Sequence, residues 1–267
     1  MGTIDISIAR LLIGLLLVAI PGLILYRYRT GLVKAMLVSV GRMVVQLFLV
    51  GVYLNYLFEW NNTWVNIAWV LIMIGVCSVN LLKRTRISVK VLFVPVYVSV
   101  LVALVIVAFY FLKAVLNIEN LFDSRYFIPI CGILIGNILS TNVIGMNALY
   151  DGLAKDQQFY HYMLCNGATV EEATKPFFRE ALIRSFNPTI ASMAVMGLIS
   201  LPGTLIGQII GGSSPNVAIR YQIMIMVIIM TSSIISLWLS MNWSMRYAMN
   251  EYGTLKPHLR TAGQGRL

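Results

Sequence analysis

Thr169 and Glu172 carry the most specific chemistry in the chain, inside the run NGATVEEATKPFFREALIRSFNPTIAS over 166–192. At a helix start, a Thr hydroxyl can accept from the backbone N–H three residues on. A Glu at that third place can reach back to the Thr amide, so two free donors are met reciprocally. Gly167 just ahead supplies a tight turn at no steric cost. The spacing predicts a short, well-capped helix with Glu171, Glu172, Lys175 and Arg179, lying against the membrane and leading without a break into a further membrane helix. Its chemistry is recognition: a defined polar end offered to the cytosol. An ordinary amphipathic interfacial helix fits the same pattern.

Catalysis finds no comparable set of residues. The histidines are His161 and His258, and Cys77, Cys131 and Cys165 share no motif spacing, so neither a nucleophilic triad nor an HExxH site is formed. No G-x-x-x-x-G-K-[ST] run is present. The nearest, Gly203-Thr-Leu-Ile-Gly207-Gln208, lacks the Lys and falls in an apolar segment. No enzymatic role is expected of this subunit, and any ATP-driven step is expected to use ATP and magnesium held by another polypeptide.

The elements that must position these residues are membrane helices. Of 267 residues, 59% are apolar and 11% charged, far from a soluble composition. Apolar stretches of about 20 residues cross a bilayer, and seven are expected, near 7–25, 41–58, 64–82, 91–112, 127–149, 188–211 and 220–241. The expected fold is an all-α polytopic bundle, a single permease domain over 1–267. The cytoplasmic segment is placed at 150–187 and a cytoplasmic tail at 242–267. The N-terminus lacks a basic stretch and a small-residue cleavage site, so no removable signal peptide is expected.

Orientation follows from the net charge of +10. Arg27, Arg29, Lys34 and Arg42 surround the first loop, and Lys83, Arg84, Arg86 and Lys90 the third. Lys155, Lys175, Arg179 and Arg184 lie in the long fifth connection, and Arg246, Lys256, Arg260 and Arg266 in the tail. These are 16 of the 20 basic residues, all on one side. Basic residues gather in cytoplasmic loops, which gives N-out and C-in. The positive charge therefore reads as topology and contact with anionic headgroups, with no nucleic-acid partner.

Small and polar residues recur within the spans. Gly132, Gly136 and Ser140 form a small-residue edge in the fifth, with Asn137 and Thr141 one residue over. Gly203, Gly207 and Gly211 follow Pro202 in the sixth. Such edges let helix backbones approach, and Pro202 can break its helix, so these residues serve as packing or as a hinge. Arg42 and Gln46, one turn apart, either face a translocation path or, for Arg42, snorkel to the cytoplasmic surface. Met193, Met196, Met224, Met226 and Met230 offer thioethers for soft metals but equally fill irregular apolar gaps.

The 166–192 run resembles the coupling segment of ABC-transporter permeases, in which a Gly-Ala-Thr or Gly-Ala-Ser turn opens the helix that docks on the ATPase. The implied contact set is Gly167, Ala168, Thr169, Glu171 and Glu172. From Ser39 onwards the chain is similar to the FetB-type permeases, a family associated with iron export in bacteria and aluminium tolerance in plants. The matching pieces are Ser39-Val-Gly-Arg42 with Gln46-Leu and Val50-Gly51; Ile128-Pro-Ile130 with Gly132 and Gly136-Asn137; Gly167-Ala-Thr169; Gly197-Leu-Ile-Ser-Leu-Pro-Gly203; and Tyr221-Gln-Ile223. The resemblance implies a homodimeric permease with a separate cytoplasmic ATPase, exporting iron across a bacterial inner membrane.

One departure touches the substrate. The family carries an Asp and a Lys shortly before the Gly-Leu-x-Ser-Leu-Pro-Gly run, where this chain has Ala191 and Ala194. All ten acidic residues fall in loops or at helix ends, leaving no deep carboxylate for a hard cation. Iron as a chelate, another small solute such as a sugar conjugate, and an ion-gradient-driven carrier all stay open. The residues expected to line or shape the path are Arg42, Gln46, Asn137, Thr141, Ser200 and Pro202; the metal ligands, if any, are not assignable.

Overall fold

Inside a bilayer, backbone amides have no water to bond, so an apolar chain satisfies them along helices. The computed structural model describes residues 7–250 together with Gly253, Thr254 and Lys256. Among these residues there are helices throughout and no strand; an isolated bridge joins Met196 and Ser200.

The chain begins with α1 (Ile8–Leu15) and α2 (Ala19–Arg27), joined by a tighter turn at Leu16–Val18. Pro21 has no amide to give the carbonyl four residues back, which is where the helix tightens. Next come α3 (Val33–Trp60), α4 (Thr63–Arg84), α5 (Val89–Tyr110) and α6 (Ser124–Lys155). Asn62 caps α4 through Trp64 and Asp123 caps α6 through Arg125. The short α7 (Gln157–Cys165) leads to α8 (Val170–Val195), α9 (Gly203–Ile210) and α10 (Pro215–Ala248).

Among the described residues, six stretches are long and apolar enough to cross a membrane as continuous helix: Ile8–Arg27, Val33–Trp60, Thr63–Arg84, Val89–Val115, Ser124–Lys155 and Pro215–Ala248. The expected span at 188–211 takes a different form. It is the upper part of α8, an irregular stretch over 196–202, and α9. Gly197 sits at φ +86, outside helical space, and Pro202 caps α9. Helix register shows that this broken segment still has to cross. Asn142 bonds Ser236 and Ser240, and Met146 lies at Ser244, so α6 and α10 run parallel. Two parallel neighbours can be joined only by a chain that returns. Phe177 lies at Gly152 and Ser185 at Gly145, so α8 makes that return antiparallel to α6.

A second difference concerns the capped helix. The expected short interfacial helix is instead the first third of the 26-residue α8, which absorbs both Pro176 and Pro188. A proline removes one ladder bond and often bends a membrane helix without ending it; this one ends at Val195, just before the positive-φ Gly197.

The core is built from α4, α5, α6, α8 and α10 around Ile74, Leu81, Leu92, Val96, Leu134, Ile138 and Leu237. Burial of apolar groups gives little drive in lipid, so close packing and interhelical polar bonds matter more. Both are present. Gly145 lies so close to Leu237 and Ser185 that an added Cβ would fall 2.5 Å from the Leu237 Cδ1 and 2.7 Å from the Ser185 Oγ. The fully buried Asn142 donates to Ser236 Oγ at 2.9 Å. By contrast, α1 and α2 bury nothing and α3 buries only Leu57.

Candidate functional site

The polar segment folds as a helical elbow. α7 ends with Gly167 at φ +89, donating to the Leu164 carbonyl, while Ala168 donates to the Met163 carbonyl. This pair of bonds satisfies the last carbonyls of α7 and requires a residue that tolerates positive φ. Thr169 then caps α8. Its hydroxyl accepts from the Glu172 amide at 3.2 Å, and the Glu172 carboxylate accepts from the Thr169 amide at 2.8 Å and hydroxyl at 2.9 Å. The expected capping box is present. Those bonds, with Lys175 nearby, hold the Glu172 carboxyl below its ordinary 4.5. Gly167, Thr169, Glu171 and Glu172 are exposed and Ala168 is half-buried, so the turn is a presented surface.

Behind the elbow stands a brace absent from the sequence reading. The buried Tyr160 of α7 donates its hydroxyl to the Gly253 carbonyl at 2.7 Å, and burial raises the phenol's pKa. Gly253, at φ +70, lies where a Cβ would be 3.2 Å from the Val170 Cγ2. The turn after α10 is thus pinned against the start of α8. Between them opens an 820 Å³ groove bordered by Glu171, Lys175, Phe178, Trp238 and Arg246. A tyrosine in a polar loop gives no hint of so distant a partner. The tail past Lys256, with Arg260 and Arg266, lies outside the described residues.

The six residues expected along a path are not joined to one another by hydrogen bonds within a single chain, among the described residues. Arg42 and Gln46 are exposed on α3. Asn137 donates to its own Ile133 carbonyl, and Thr141 is buried on the core side of α6. Ser200 is exposed, its carbonyl accepting from Gly197, and Pro202 caps α9. The glycine edges also divide. Gly132 touches the Met73 methyl at 3.6 Å, whereas Gly136, Gly203 and Gly207 have nothing within 4 Å of an added Cβ; Gly211 caps the end of α9. Sequence reasoning missed Gly145, and it missed the seam of Asn142 with Ser232, Ser236, Ser240 and Ser244, all fully buried. The four-residue spacing of those serines was the available signal. Across from the break, Thr204 donates to the buried Gln222 at 2.6 Å, tying α9 to α10.

Comparison with known proteins gives the chain its family. The family model described as Uncharacterised protein family (UPF0014) matches residues 8–249, from α1 to the end of α10. The chain belongs to the UPF0014 family. Its relatives include Protein ALUMINUM SENSITIVE 3 of Arabidopsis thaliana, 32% identical over 224 residues, or 84% of this chain and 80% of the relative. A second is the Escherichia coli protein named "Probable iron export permease protein FetB", 30% identical over 237 residues, or 88% of this chain and 90% of the relative. UPF0014 membrane protein YjkA of Bacillus subtilis is 28% identical over 207 residues, 77% and 81% of the two chains. No solved structure matches the chain. This UPF0014 member is accordingly an integral membrane protein, and the family resemblance read from its motifs holds.

Proposed function

We propose that this chain is the membrane-spanning permease subunit of an ABC transporter that exports iron, free or chelated, from the cytoplasm. A separate ATPase subunit binds and hydrolyses ATP with magnesium, and two copies of each subunit work together in the cytoplasmic membrane. The observation that carries the reading is the elbow: a positive-φ Gly167 and a closed capping box at Thr169 give α8 a rigid, exposed end. α8 then runs as one helix from that end to the break at 196–202. A push on the elbow is therefore delivered at membrane depth, which is what coupling to an ATPase demands. The N-out orientation puts the elbow on the cytoplasmic side with the basic loops.

Iron is supported by the name of the Escherichia coli relative. Among the described residues, no cluster of three or more His, Cys, Asp or Glu could hold a metal ion. That favours cargo that brings its own ligands, held by Arg42, Gln46 and exposed backbone. The same observation favours a second reading, a different small solute handled by the same machinery. Vesicles holding this permease and its ATPase should carry labelled iron towards the exterior face only when ATP is supplied. ATP-dependent movement of another solute, with iron neither moved nor stimulating hydrolysis, would remove iron and leave the permease.

A further inference from the structure

The upper half of α8 and the irregular stretch beyond it have no cover within their own chain. Every residue over 187–201 is exposed or half-buried, and Leu198 and Ile199 are 90% and 84% exposed. Depth makes this significant. Ser185 is level with Gly145, so Val195, ten residues on, reaches about 15 Å further, near the level of Ile135. That is about 15 Å short of the outer end of α6, within the hydrocarbon layer.

Backbone at that depth needs partners. The Leu201 amide donates to nothing, and the first bond into α9 is Ile206 to Pro202, which leaves the amides of Gly203, Thr204 and Leu205 free. The carbonyls of Leu198 and Ile199 accept nothing. Irregular backbone is tolerated in a membrane only where protein or a watery cavity covers it. Lipid tails offer neither donors nor acceptors, and a cytosolic ATPase does not reach this level. A watery cavity would meet the polar groups but leave Leu198 and Ile199 wet, so the cover is a membrane-embedded protein.

We infer that this cover is a second copy of the same chain, the two copies meeting across the α8–α9 break with residues 197–200 beside the two-fold axis. The inference rests on the homodimer reading above and names its surface. A two-fold contact joins one patch to itself, so the patch must be self-complementary. This one is: it carries free amides and free carbonyls together. Small residues are also open at about this depth, Gly136 and Ser140 on α6 and Gly203 and Gly207 on α9, where two backbones can approach closely. Ser200 and Pro202 then stand at the seam between copies, which explains why one chain alone gathers no path.

The test uses the full chain with Cys165→Ala, since Cys165 is exposed while Cys77 and Cys131 are buried. Ile199→Cys, with Leu198→Cys as a second variant, is oxidised in native membranes, and Phe48→Cys on α3 serves as the comparison. Copy number is measured by light scattering in lipid nanodiscs. The expected result is two copies per disc and a dimer cross-linked through position 199 or 198, with none through 48. Two copies cross-linked through 48 and through neither 198 nor 199 would overturn this surface while leaving the homodimer. One copy per disc would overturn both.

Discussion

The two halves of α8 differ in how much of each is buried. The half that begins at Thr169 is finished within one chain: a closed cap at Thr169, then Ala173, Phe177, Ala181, Ser185 and Phe186 buried in turn. The membrane half buries nothing and ends in irregular backbone. One continuous helix thus joins a self-sufficient lever to an end that needs company. The difference teaches that in this protein stability and function part at about Phe186: below it, contacts hold the chain together; above it, the chain waits for a partner.

The sharpest way to break that contrast is a pair of glycines on one helix. Gly145→Val should overpack the junction of α6, α8 and α10 against Leu237 and Ser185. The expected cost is about 1–3 kcal/mol, read as a lower thermal midpoint in detergent. Gly136→Ala meets open space within its own chain, so the midpoint of the isolated chain should hold while copy number in nanodiscs falls. Equal thermal losses would show that both faces belong to one core and dissolve the comparison.

A smaller effect is expected at the lever's tip. Thr169→Ala removes the cap and should cost about 1 kcal/mol, measured as faster hydrogen exchange at the amides of residues 170–173 with no change beyond Phe186. Spread of that change into the membrane half would mean that α8 does not divide as described.

The smallest effect is in pH. Hydrogen bonds from Thr169 depress the Glu172 carboxyl below 4.5. A depressed carboxyl stabilises the fold fully above its ordinary value and loses that contribution as pH falls through its own lower value. The cap should therefore persist down to 4.5 and loosen only in more acidic solution. Carbon NMR of Glu172 checks it, and a titration midpoint at or above 4.5 would contradict the closed box.

Much of this contrast is written in local sequence. The apolar runs mark the continuous spans, and Thr169 with Glu172 marks the cap, because both depend on neighbours in the chain. Pro202 marks the break for the same reason, whereas Gly197 is placed in it only by its positive φ. The extent of α8 was legible only in part: the run leads without a break into a further span, but nothing local shows that one helix carries both Pro176 and Pro188 inside it. The Tyr160–Gly253 brace was not legible, since it joins residues 93 apart. The Asn142 seam escaped as well, because buried serines four apart in an apolar helix look like small packing residues until the facing asparagine is placed.

The central claim is that the elbow transmits ATP hydrolysis into the membrane half of α8. It is tested most directly with Gly167→Val in vesicles that also hold the ATPase. A β-branched residue at φ +89 strains the turn by about 1–2 kcal/mol or more. Insertion should be normal and the cooperative melting of the span helices unchanged, while ATP-driven transport is lost and hydrolysis no longer responds to the permease. Transport and stimulated hydrolysis at the level of the unaltered chain would contradict the account.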